Sequence, residues 1–319
     1  MLSQKQVKSY RDHGYLVLEE IVDQDRYLNP IRKEYAKLLD ELIDRWVHLG
    51  EMEPLSENDN FYKKLLASYV AGCDWFQPLD ISLPGDKITD ETPMHFSAAT
   101  FNLLTCSAVL DIVEQFIGSE ITSNPIQHVR LKPPTSVLRD SEIRAHISKT
   151  DWHQDRGVVL PDADATNMIT VWIAVTDATE ENGCLAVIPK NTETGSKLLP
   201  HCQRDQTAIS PRFLDNSSAL PLPIKSGGIV LLDPLTPHAS LDNRSSEFRW
   251  SFDIRYNVTG QPTGRPHFPS FVARSLSDPN NVLTDWKEWK KMWEVARYNL
   301  ARKEHIPIHR WKSDSPYCA

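Results

Sequence analysis

The sequence predicts a mainly β protein with flanking helices, whose short strands form a sandwich or a jelly-roll barrel. Long amphipathic patterns dominate the first 125 residues, and short β-rich segments divided by Pro, Gly, Asn and Asp follow from residue 126. A second observation is that no strand alternates regularly with a helix, as βαβ units require. Many short strands separated by turn residues are typical of sandwiches and barrels.

The length of 319 residues exceeds the usual size of a single domain, yet all-β barrels often reach roughly 200–250 residues before helices are added. We therefore expect one domain over residues 1–319. Its parts are a mostly helical N-terminal part (1–125), a jelly-roll core (126–260) and a C-terminal extension with a helix (261–319).

Helices are predicted where apolar residues recur at spacings of three and four. The predicted helices span residues 3–11, 27–49, 103–116 and 286–305. Gly14 ends the first helix and Gly118 ends the third, because glycine is the common residue just beyond a helix C-terminus. The fourth helix is charged and bears tryptophans, which predicts packing on the barrel or on a second subunit.

Strands are predicted where β-branched and aromatic residues cluster between turn residues. The predicted strands span residues 15–18, 126–131, 169–175, 184–188, 228–232 and 248–256. Asn182 and Gly183 form a turn signal, which predicts a hairpin between the third and fourth of these strands.

Composition and charge exclude several classes of function. The net charge is −8 and basic residues are scattered, so we expect no nucleic-acid partner. No run approaches the roughly 18–20 apolar residues of a membrane span, and the N-terminus lacks the apolar segment of a secretory signal. We expect a soluble, cytoplasmic protein without a membrane partner, whose oligomeric state the sequence leaves open.

The five cysteines are widely spaced and contain no CxxC pair. This pattern argues against a disulfide framework or a zinc knuckle, and it favours a reducing compartment. Cys184 follows an Asn-Gly turn, and a buried structural thiol is the favoured interpretation there over a nucleophile.

The most informative chemical pattern is His153, Asp155 and a distant His238. On an extended strand, side chains two residues apart leave the same face, so His153 and Asp155 can converge on one ion. An HxD pattern alone recurs by chance. Here, however, two glycines precede an apolar strand, a Pro-rich turn ends it, and His238 follows that turn. Two imidazoles and one carboxylate on one face of an octahedron are typical of non-heme Fe(II) oxygenases.

Arg249 lies in the strand that follows His238. If the two strands were adjacent and antiparallel, this arginine would return to the metal. Its planar guanidinium matches a carboxylate with two parallel hydrogen bonds.

Several motifs in this order resemble the phytanoyl-CoA dioxygenase family of Fe(II)/2-oxoglutarate-dependent oxygenases. They are the segment 6–18, Trp152-His153-Gln154-Asp155, the segment 182–189, Pro237-His238-Ala239-Ser240 and Phe248-Arg249. The resemblance implies a double-stranded β-helix, a cupin-like jelly-roll, as the core. It also implies Fe(II) as cofactor, 2-oxoglutarate as co-substrate, O2 as oxidant and a small molecule as primary substrate.

Carried over by position, the resemblance implies that the metal ligands are His153, Asp155 and His238. It further implies a co-substrate site formed by Arg249, Ser240, Trp172 and Gln127. Arg249 would pair with the distal carboxylate of 2-oxoglutarate and Ser240 would hydrogen-bond the same group. For Trp172 and Gln127, an ordinary place in a strand is an equally open interpretation.

The sequence departs from the family pattern after the 184–188 strand, where residues 189–193 lack the histidine that often ends this turn. The departure affects the mouth of the substrate site. Arg255 lies six residues beyond Arg249, an even step that returns it to the same strand face. It would bind an anionic group of the substrate or anchor a loop carboxylate, and both interpretations stay open.

The reaction implied by the resemblance is hydroxylation, with release of succinate and CO2. Asp155 keeps the carboxylate that a related halogenase replaces with a small residue, so we expect no halogenation. Desaturation, epimerisation, ring formation and endoperoxide formation stay open, as does the identity of the substrate. Two alternatives are a non-catalytic binding protein on the same barrel and a zinc-dependent hydrolase.

Overall fold

The computed structural model describes residues 1–142, 144, 146–303 and 306–318, and its core consists of antiparallel sheets. The strands are β1 (Tyr15–Leu18), β2 (Ile121–Lys132), β3 (Met168–Ala174), β4 (Leu185–Val187), β5 (His201–Gln203), β6 (Thr207–Ile209), β7 (Leu220–Leu222), β8 (Ile229–Leu232), β9 (His238–Ser240), β10 (Arg249–Val258) and β11 (Phe271–Arg274). A large sheet has the order β1-β8-β3-β10-β2-β11, a small sheet has the order β7-β4-β9, and β5 pairs with β6. The predicted jelly-roll class with flanking helices is confirmed.

Both faces of the large sheet are covered, which explains why its strand β3 is a nearly continuous run of apolar residues. Trp172 of β3 packs between the sheets with Leu185 of the small sheet. Its neighbours Val171 and Ile173 belong to a second core, which includes Ile31 of the N-terminal helices. Since side chains alternate along a strand, a strand covered on both faces needs apolar residues at every position.

Helices cover the outer face of the large sheet. They are α1 (Gln4–His13), α2 (Asn29–His48), α3 (Phe61–Ala71), α4 (Phe76–Leu79), α5 (Ala98–Leu104), α6 (Ser107–Ile117) and α8 (Trp286–Leu300), with a π-helical turn at Gln24–Leu28 before α2. The one-turn helix α7 (Asp155–Val158) instead begins at the candidate metal ligand Asp155. A capping box formed by Ser3 and Gln6 starts α1. The predicted helices at 3–11 and 27–49 are thus confirmed to within two residues at each end.

The predicted helix 103–116 is two helices, because the chain breaks between α5 and α6 at Thr105 and Cys106. The segment Ala98–Ile117 is long and apolar enough to cross a membrane by length and composition, with 20 residues and a mean hydropathy of 1.2. This finding differs from the expectation that no apolar run approaches the length of a membrane span. Half of the segment is buried inside the protein, where Phe101 and Val113 belong to the core, so a core role explains its composition.

The C-terminal helix α8 ends at Leu300, before the predicted end at His305, which lies outside the described residues. Trp289 and Trp293 are buried against the same chain, with ring centroids 6.0 Å from Phe101 and 5.4 Å from Phe268 respectively. The tryptophans of this helix therefore pack within the protein.

The predicted hairpin between residues 169–175 and 184–188 is wrong. Strand β3 pairs with β8 and β10 in the large sheet, whereas β4 pairs with β7 and β9 in the small sheet. The connection crosses between the sheets, and Gly183 within it has a φ of 89°. A Cβ at this position would lie 2.7 Å from the carbonyl oxygen of Leu241, so the turn requires glycine for close approach as well as for conformation.

One disulfide corrects the expectation from cysteine spacing. Cys202 is bonded to Cys318, with a Cα–Cα distance of 5.1 Å and 116 residues of separation. Cys73, Cys106 and Cys184 are free and buried. Burial raises the pKa of Cys184 to about 11, which suits a structural thiol. The cellular compartment stays a prediction.

Candidate metal centre and co-substrate pocket

Backbone pairing brings the two candidate histidine ligands together. The amide of His153 donates to the carbonyl of His238 at 3.0 Å, and the amide of His238 donates back at 2.9 Å. Asp155 begins the one-turn helix α7 rather than continuing a strand, which corrects the predicted extended HxD segment. The turn keeps its carboxylate on the side of the imidazoles.

The three side chains converge through defined atoms. The Nε2 atoms of His153 and His238 each lie 4.0 Å from Oδ1 of Asp155. Nδ1 of His153 lies 2.8 Å from the carbonyl oxygen of Asp151, and Nδ1 of His238 lies 3.0 Å from that of Thr236. A carbonyl only accepts, so each Nδ1 carries the proton and each Nε2 lone pair faces the shared space.

Asp155 is held by two further side chains. Its Oδ1 accepts a hydrogen bond from Nη2 of Arg255, and its Oδ2 accepts one from the hydroxyl of Thr170. Burial alone would raise the pKa of Asp155, but Arg255 and then the two ligand histidines hold it well below its usual range. The carboxylate is therefore ionised at neutral pH.

This donor set fits Fe(II). Burial, and then the neighbouring imidazole of His238, lowers the pKa of His153 to about 3, so this ring is neutral at physiological pH. Neutral imidazole nitrogens and an ionised carboxylate oxygen are the ligand types of the facial triad. The atoms lie within 4.8 Å of one another and all three residues are buried.

Arg255 lines the same small cavity as Arg249, as expected for two residues on one strand face. Its guanidinium contacts Asp155, and Nη1 donates to the carbonyl of Ile126 at 3.1 Å. The carboxylate it anchors belongs to a candidate metal ligand and not to a loop. This contact supports a role of Arg255 in positioning Asp155, while a contact with substrate stays a prediction because Arg255 also lines the cavity of about 330 Å³.

The predicted co-substrate residues Arg249, Ser240 and Trp172 line one small cavity with His153 and His238. Arg249 lies on β10 of the large sheet and Ser240 on β9 of the small sheet, so the two strands face each other across the barrel instead of pairing. The arginine reaches the metal site by pointing inward from the opposite sheet.

Arg249 is buried, and the described residues provide it with no carboxylate partner. Its Nε donates to the carbonyl of Gly183 at 3.1 Å and its Nη1 to the hydroxyl of Ser251 at 2.6 Å. The guanidinium lies 5.4 Å from the ring centroid of Trp172. Burial lowers its pKa to about 10, which leaves a full positive charge at neutral pH.

Lys132, which no sequence motif indicated, contacts two residues of this cavity wall. It is the register partner of Arg249 across β2 and β10, and its Nζ donates to the hydroxyls of Ser240 and Thr150. Burial, and then the charge of Arg249, lowers its pKa well below the ordinary value. The alternation of His128, Arg130 and Lys132 along β2 was the signal that could have revealed it.

Gln127 lies outside the pocket, which corrects its predicted role. Its side-chain amide donates to the carbonyl of Ile81 at 2.9 Å, on the helical side of the sheet. Residues alternate between strand faces, so when His128 and Arg130 face the barrel interior, Gln127 faces away from it.

A larger cavity lies on the other side of the metal ligands. A space of about 330 Å³ is lined by His153, Arg255, Arg130 and Arg265. It shares Arg265, His128 and further residues with an adjoining space of about 930 Å³. This volume is ample for a small organic substrate.

Comparisons with known proteins agree with this site. Residues 10–251 match the family model described as "Phytanoyl-CoA dioxygenase (PhyH)". A "Phytanoyl-CoA dioxygenase domain-containing protein 1" from Danio rerio is 31% identical over 273 residues, covering 78% of this chain and 88% of that protein. A "Probable phytanoyl-CoA dioxygenase" from Caenorhabditis elegans is 24% identical over 332 residues, covering 96% of each chain.

Solved structures show the same fold. The apo form of the non-heme monooxygenase ThoJ has a TM-score of 0.57 at 15% identity, covering 92% of this chain and 96% of that one. EvdO2 from Micromonospora carbonacea, complexed with 2-oxoglutarate, has a TM-score of 0.52 at 20% identity, covering 81% and 92%. With the family match over most of its length and the triad beside a buried arginine, the chain belongs to the phytanoyl-CoA dioxygenase family of Fe(II)/2-oxoglutarate-dependent oxygenases.

Proposed function

We propose that the protein hydroxylates a small organic molecule and converts 2-oxoglutarate and O2 to succinate and CO2. The observation that carries the proposal is one arrangement. The Nε2 atoms of His153 and His238 converge with Asp155, next to Arg249, a buried arginine that has no carboxylate partner among the described residues. A metal triad alone also suits a hydrolase, but a hydrolase gives no reason for this arginine.

The protein's own residues hold and orient the reactants. His153, Asp155 and His238 would occupy one face of the metal and leave the other face for ligands. Arg249 and Ser240 would bind the distal carboxylate of 2-oxoglutarate, which fixes the orientation of its other end toward the triad. When bound, Fe(II) supplies the activation of O2 that is coupled to decarboxylation of 2-oxoglutarate.

The surroundings of the site favour this chemistry. Asp155 is fully buried, and its hydrogen bonds from Arg255 and Thr170 keep the carboxylate ionised in the orientation that points at the two imidazoles. The cavity of about 330 Å³ reaches His153 and gives a substrate access to the open side. The pocket thereby separates a co-substrate side from a substrate side.

The test replaces each ligand by alanine. His153→Ala, Asp155→Ala and His238→Ala are each expected to reduce succinate formation to background, because each removes one of three metal bonds. Succinate is measured with Fe(II), ascorbate and 2-oxoglutarate, and circular dichroism checks that the fold persists. His48→Ala, at an exposed histidine on α2, is the matched control and is expected to retain wild-type activity.

Two results would contradict the proposal. Near wild-type succinate formation by one of the three ligand variants at saturating iron removes that residue from the ligand set. Turnover of a substrate that continues without O2 contradicts oxygenase chemistry and favours the zinc hydrolase.

A further inference from the structure

Arg265 is a buried cation that the proposed function does not use. Only 9% of the residue is exposed, and within the described chain its guanidinium makes one hydrogen bond, from Nη1 to the carbonyl of Gly264 at 3.0 Å. Gly264 has a φ of 72°, and a Cβ there would lie 2.5 Å from Cβ of Val159, so glycine is required for this turn. The turn fixes the arginine at the wall of the substrate-side cavity.

The other arginines of this cavity are neutralised. Arg130 pairs with Asp253 at 2.7 Å, Arg144 pairs with Glu142 at 2.8 Å, and Arg255 pairs with Asp155. No ion pair of this kind forms at Arg265 in the described residues.

An unpaired buried charge is costly, so such groups are ordinarily paired or placed where a ligand completes them. Burial, and then the charge of Arg255, lowers the pKa of Arg265 to about 10, which still leaves it charged at neutral pH. Arg265 is therefore a buried positive charge in the cavity wall that has no carboxylate partner among the described residues.

The same cavity contains a group of side chains with metal-ligand chemistry, formed by Asp80, His128 and His146. Nδ1 of His146 is buried and has no hydrogen-bond partner in the part of the chain that the structure describes. Oδ1 of Asp80 already accepts two backbone amides, and its Oδ2 lies 2.9 Å from Nδ1 of His128. Burial, and then the charge of Arg130, lowers the pKa of His146. The contacts that Asp80 already makes leave its carboxylate little capacity to bind a cation, so this group gives no argument for a second metal site.

Arg265 lies where the two parts of the cavity meet, since it lines both the space of about 330 Å³ and the space of about 930 Å³. The smaller part reaches the metal ligand His153. The larger part has several apolar wall residues, namely Leu83, Ile88, Phe268, Leu300, Ile306 and Ile308. A ligand bound at Arg265 would therefore have polar surroundings on the metal side, and on the outer side it would have these apolar side chains together with charged ones such as Asp86 and Lys303.

We infer that the primary substrate is a free organic acid whose carboxylate or phosphoryl group binds Arg265, with an apolar part in the outer cavity. The inference rests on the proposed function, because the cavity is the one that leads to the metal ligands. A planar guanidinium recognises both kinds of oxyanion with paired hydrogen bonds. His128 and His309, which line both parts of the cavity, are placed to contact the same group.

The test measures binding by calorimetry under anaerobic conditions, with Fe(II) and saturating 2-oxoglutarate so that the Arg249 site is filled. The probes are octanoate, octyl phosphate, inorganic phosphate and the neutral analogue 1-octanol. At least one anion is expected to bind at least tenfold more tightly than octanol. The comparison of octanoate with the two phosphates identifies which oxyanion the site prefers.

The decisive variant is Arg265→Gln, which is expected to weaken binding of that anion by about 10- to 150-fold, the range for a charged hydrogen bond. Arg265→Lys keeps the charge, protects against loss of the fold and is expected to give an intermediate affinity. Arg302→Gln, at an exposed arginine paired with Asp90, is the matched control and is expected to bind like the wild type.

Three results would overturn the inference: no anion binds, octanol binds as tightly as the anions, or Arg265→Gln leaves the affinity unchanged. A zinc ion that binds in addition to the ion at the triad, and that is lost in His146→Gln, would overturn it as well, in favour of a metal site. The experiment also distinguishes a failure of the proposed function from a failure of the inference about Arg265. Loss of 2-oxoglutarate binding concerns the proposed function, whereas loss of anion discrimination concerns Arg265.

Discussion

The barrel interior contains two kinds of buried arginine, and the difference separates structural charges from ligand-binding ones. Arg255 and Arg130 face the metal side of the interior and are paired with Asp155 and Asp253. Arg249 and Arg265 lie at the co-substrate pocket and the substrate cavity, and neither has a carboxylate partner among the described residues. A paired arginine holds a protein carboxylate in place, whereas Arg249 and Arg265 are the arginines to which the two proposals assign a ligand's anionic group.

The largest effect is expected where a paired arginine is removed. Arg255→Met leaves Asp155 buried without its cation, a change that typically costs about 3–5 kcal/mol of folding free energy. Loss of such a positioning contact also weakens metal binding by about 10- to 100-fold. Urea unfolding of the metal-free protein and Fe(II) titration measure the two effects, with Arg302→Met as control. Unchanged stability and iron affinity would contradict the role of Arg255 in positioning Asp155.

The disulfide provides the second test, because it holds a segment at the cavity of Arg265 and none at the pocket of Arg249. The C-terminal segment that ends at Cys318 contributes His309 to the substrate cavity, but no residue to the co-substrate pocket. Cys318→Ser is expected to lower the free energy of unfolding by about 2–4 kcal/mol, since a long loop is no longer closed in the unfolded chain. The affinity for 2-oxoglutarate should stay unchanged.

Thermal unfolding with and without dithiothreitol checks this prediction. The wild type should lose stability on reduction, whereas Cys318→Ser should be insensitive to the reductant. A wild-type melting temperature that does not respond to dithiothreitol contradicts a stabilising role for the bond.

The third test concerns the unpaired Arg249. Arg249→Lys keeps the charge but loses the planar guanidinium, a loss of about 1–3 kcal/mol or roughly a 5- to 150-fold weaker affinity for 2-oxoglutarate. Iron content should stay near that of the wild type. Anaerobic titration of 2-oxoglutarate into the Fe(II) protein, followed by the charge-transfer absorption band, gives the affinity. A wild-type midpoint would remove Arg249 from the co-substrate site.

The smallest effect is expected from Lys132, which donates to Ser240 and Thr150 in the wall of the pocket that contains Arg249. Lys132→Met should weaken 2-oxoglutarate binding by about 5- to 10-fold, the equivalent of one modest hydrogen bond. Burial, and then Arg249, lowers the pKa of Lys132 in the free protein. An arriving carboxylate raises it again, so binding takes up protons and the affinity falls as pH rises through the lowered pKa.

Calorimetry in two buffers of different ionisation enthalpy measures this proton uptake. It should be present in the wild type and absent in Lys132→Met. Equal proton uptake in both proteins would mean that Lys132 keeps its charge without the ligand.

Sequence by itself determined the local features and the chemistry of the site. The apolar stripes located α1 and α2, and β-rich runs located β3, β8 and β10, because these elements depend on periodicity within a few residues. The spacing of His153 and Asp155, with His238 after a strand, indicated the metal site for the same reason. The residue types indicated a metal site, and the resemblance of several motifs to a known family implied the ion and the co-substrate.

Tertiary structure decided what depends on distant pairing and on strand register. It placed β3 and β4 in different sheets, turned Gln127 away from the pocket and brought Lys132 opposite Arg249. A shift of one residue in register reverses which side chains face the interior, and no local pattern specifies that register.

Ion pairs and disulfides between distant residues also could not be predicted from local sequence patterns. Arg255 meets Asp155 across 100 residues, and Cys202 meets Cys318 across 116. Arg265 became informative only when the folded chain was seen to leave it buried without a carboxylate partner in the described residues. Whether a charge is paired depends on which side chains the fold brings within a few ångströms, and that is a property of the packed molecule.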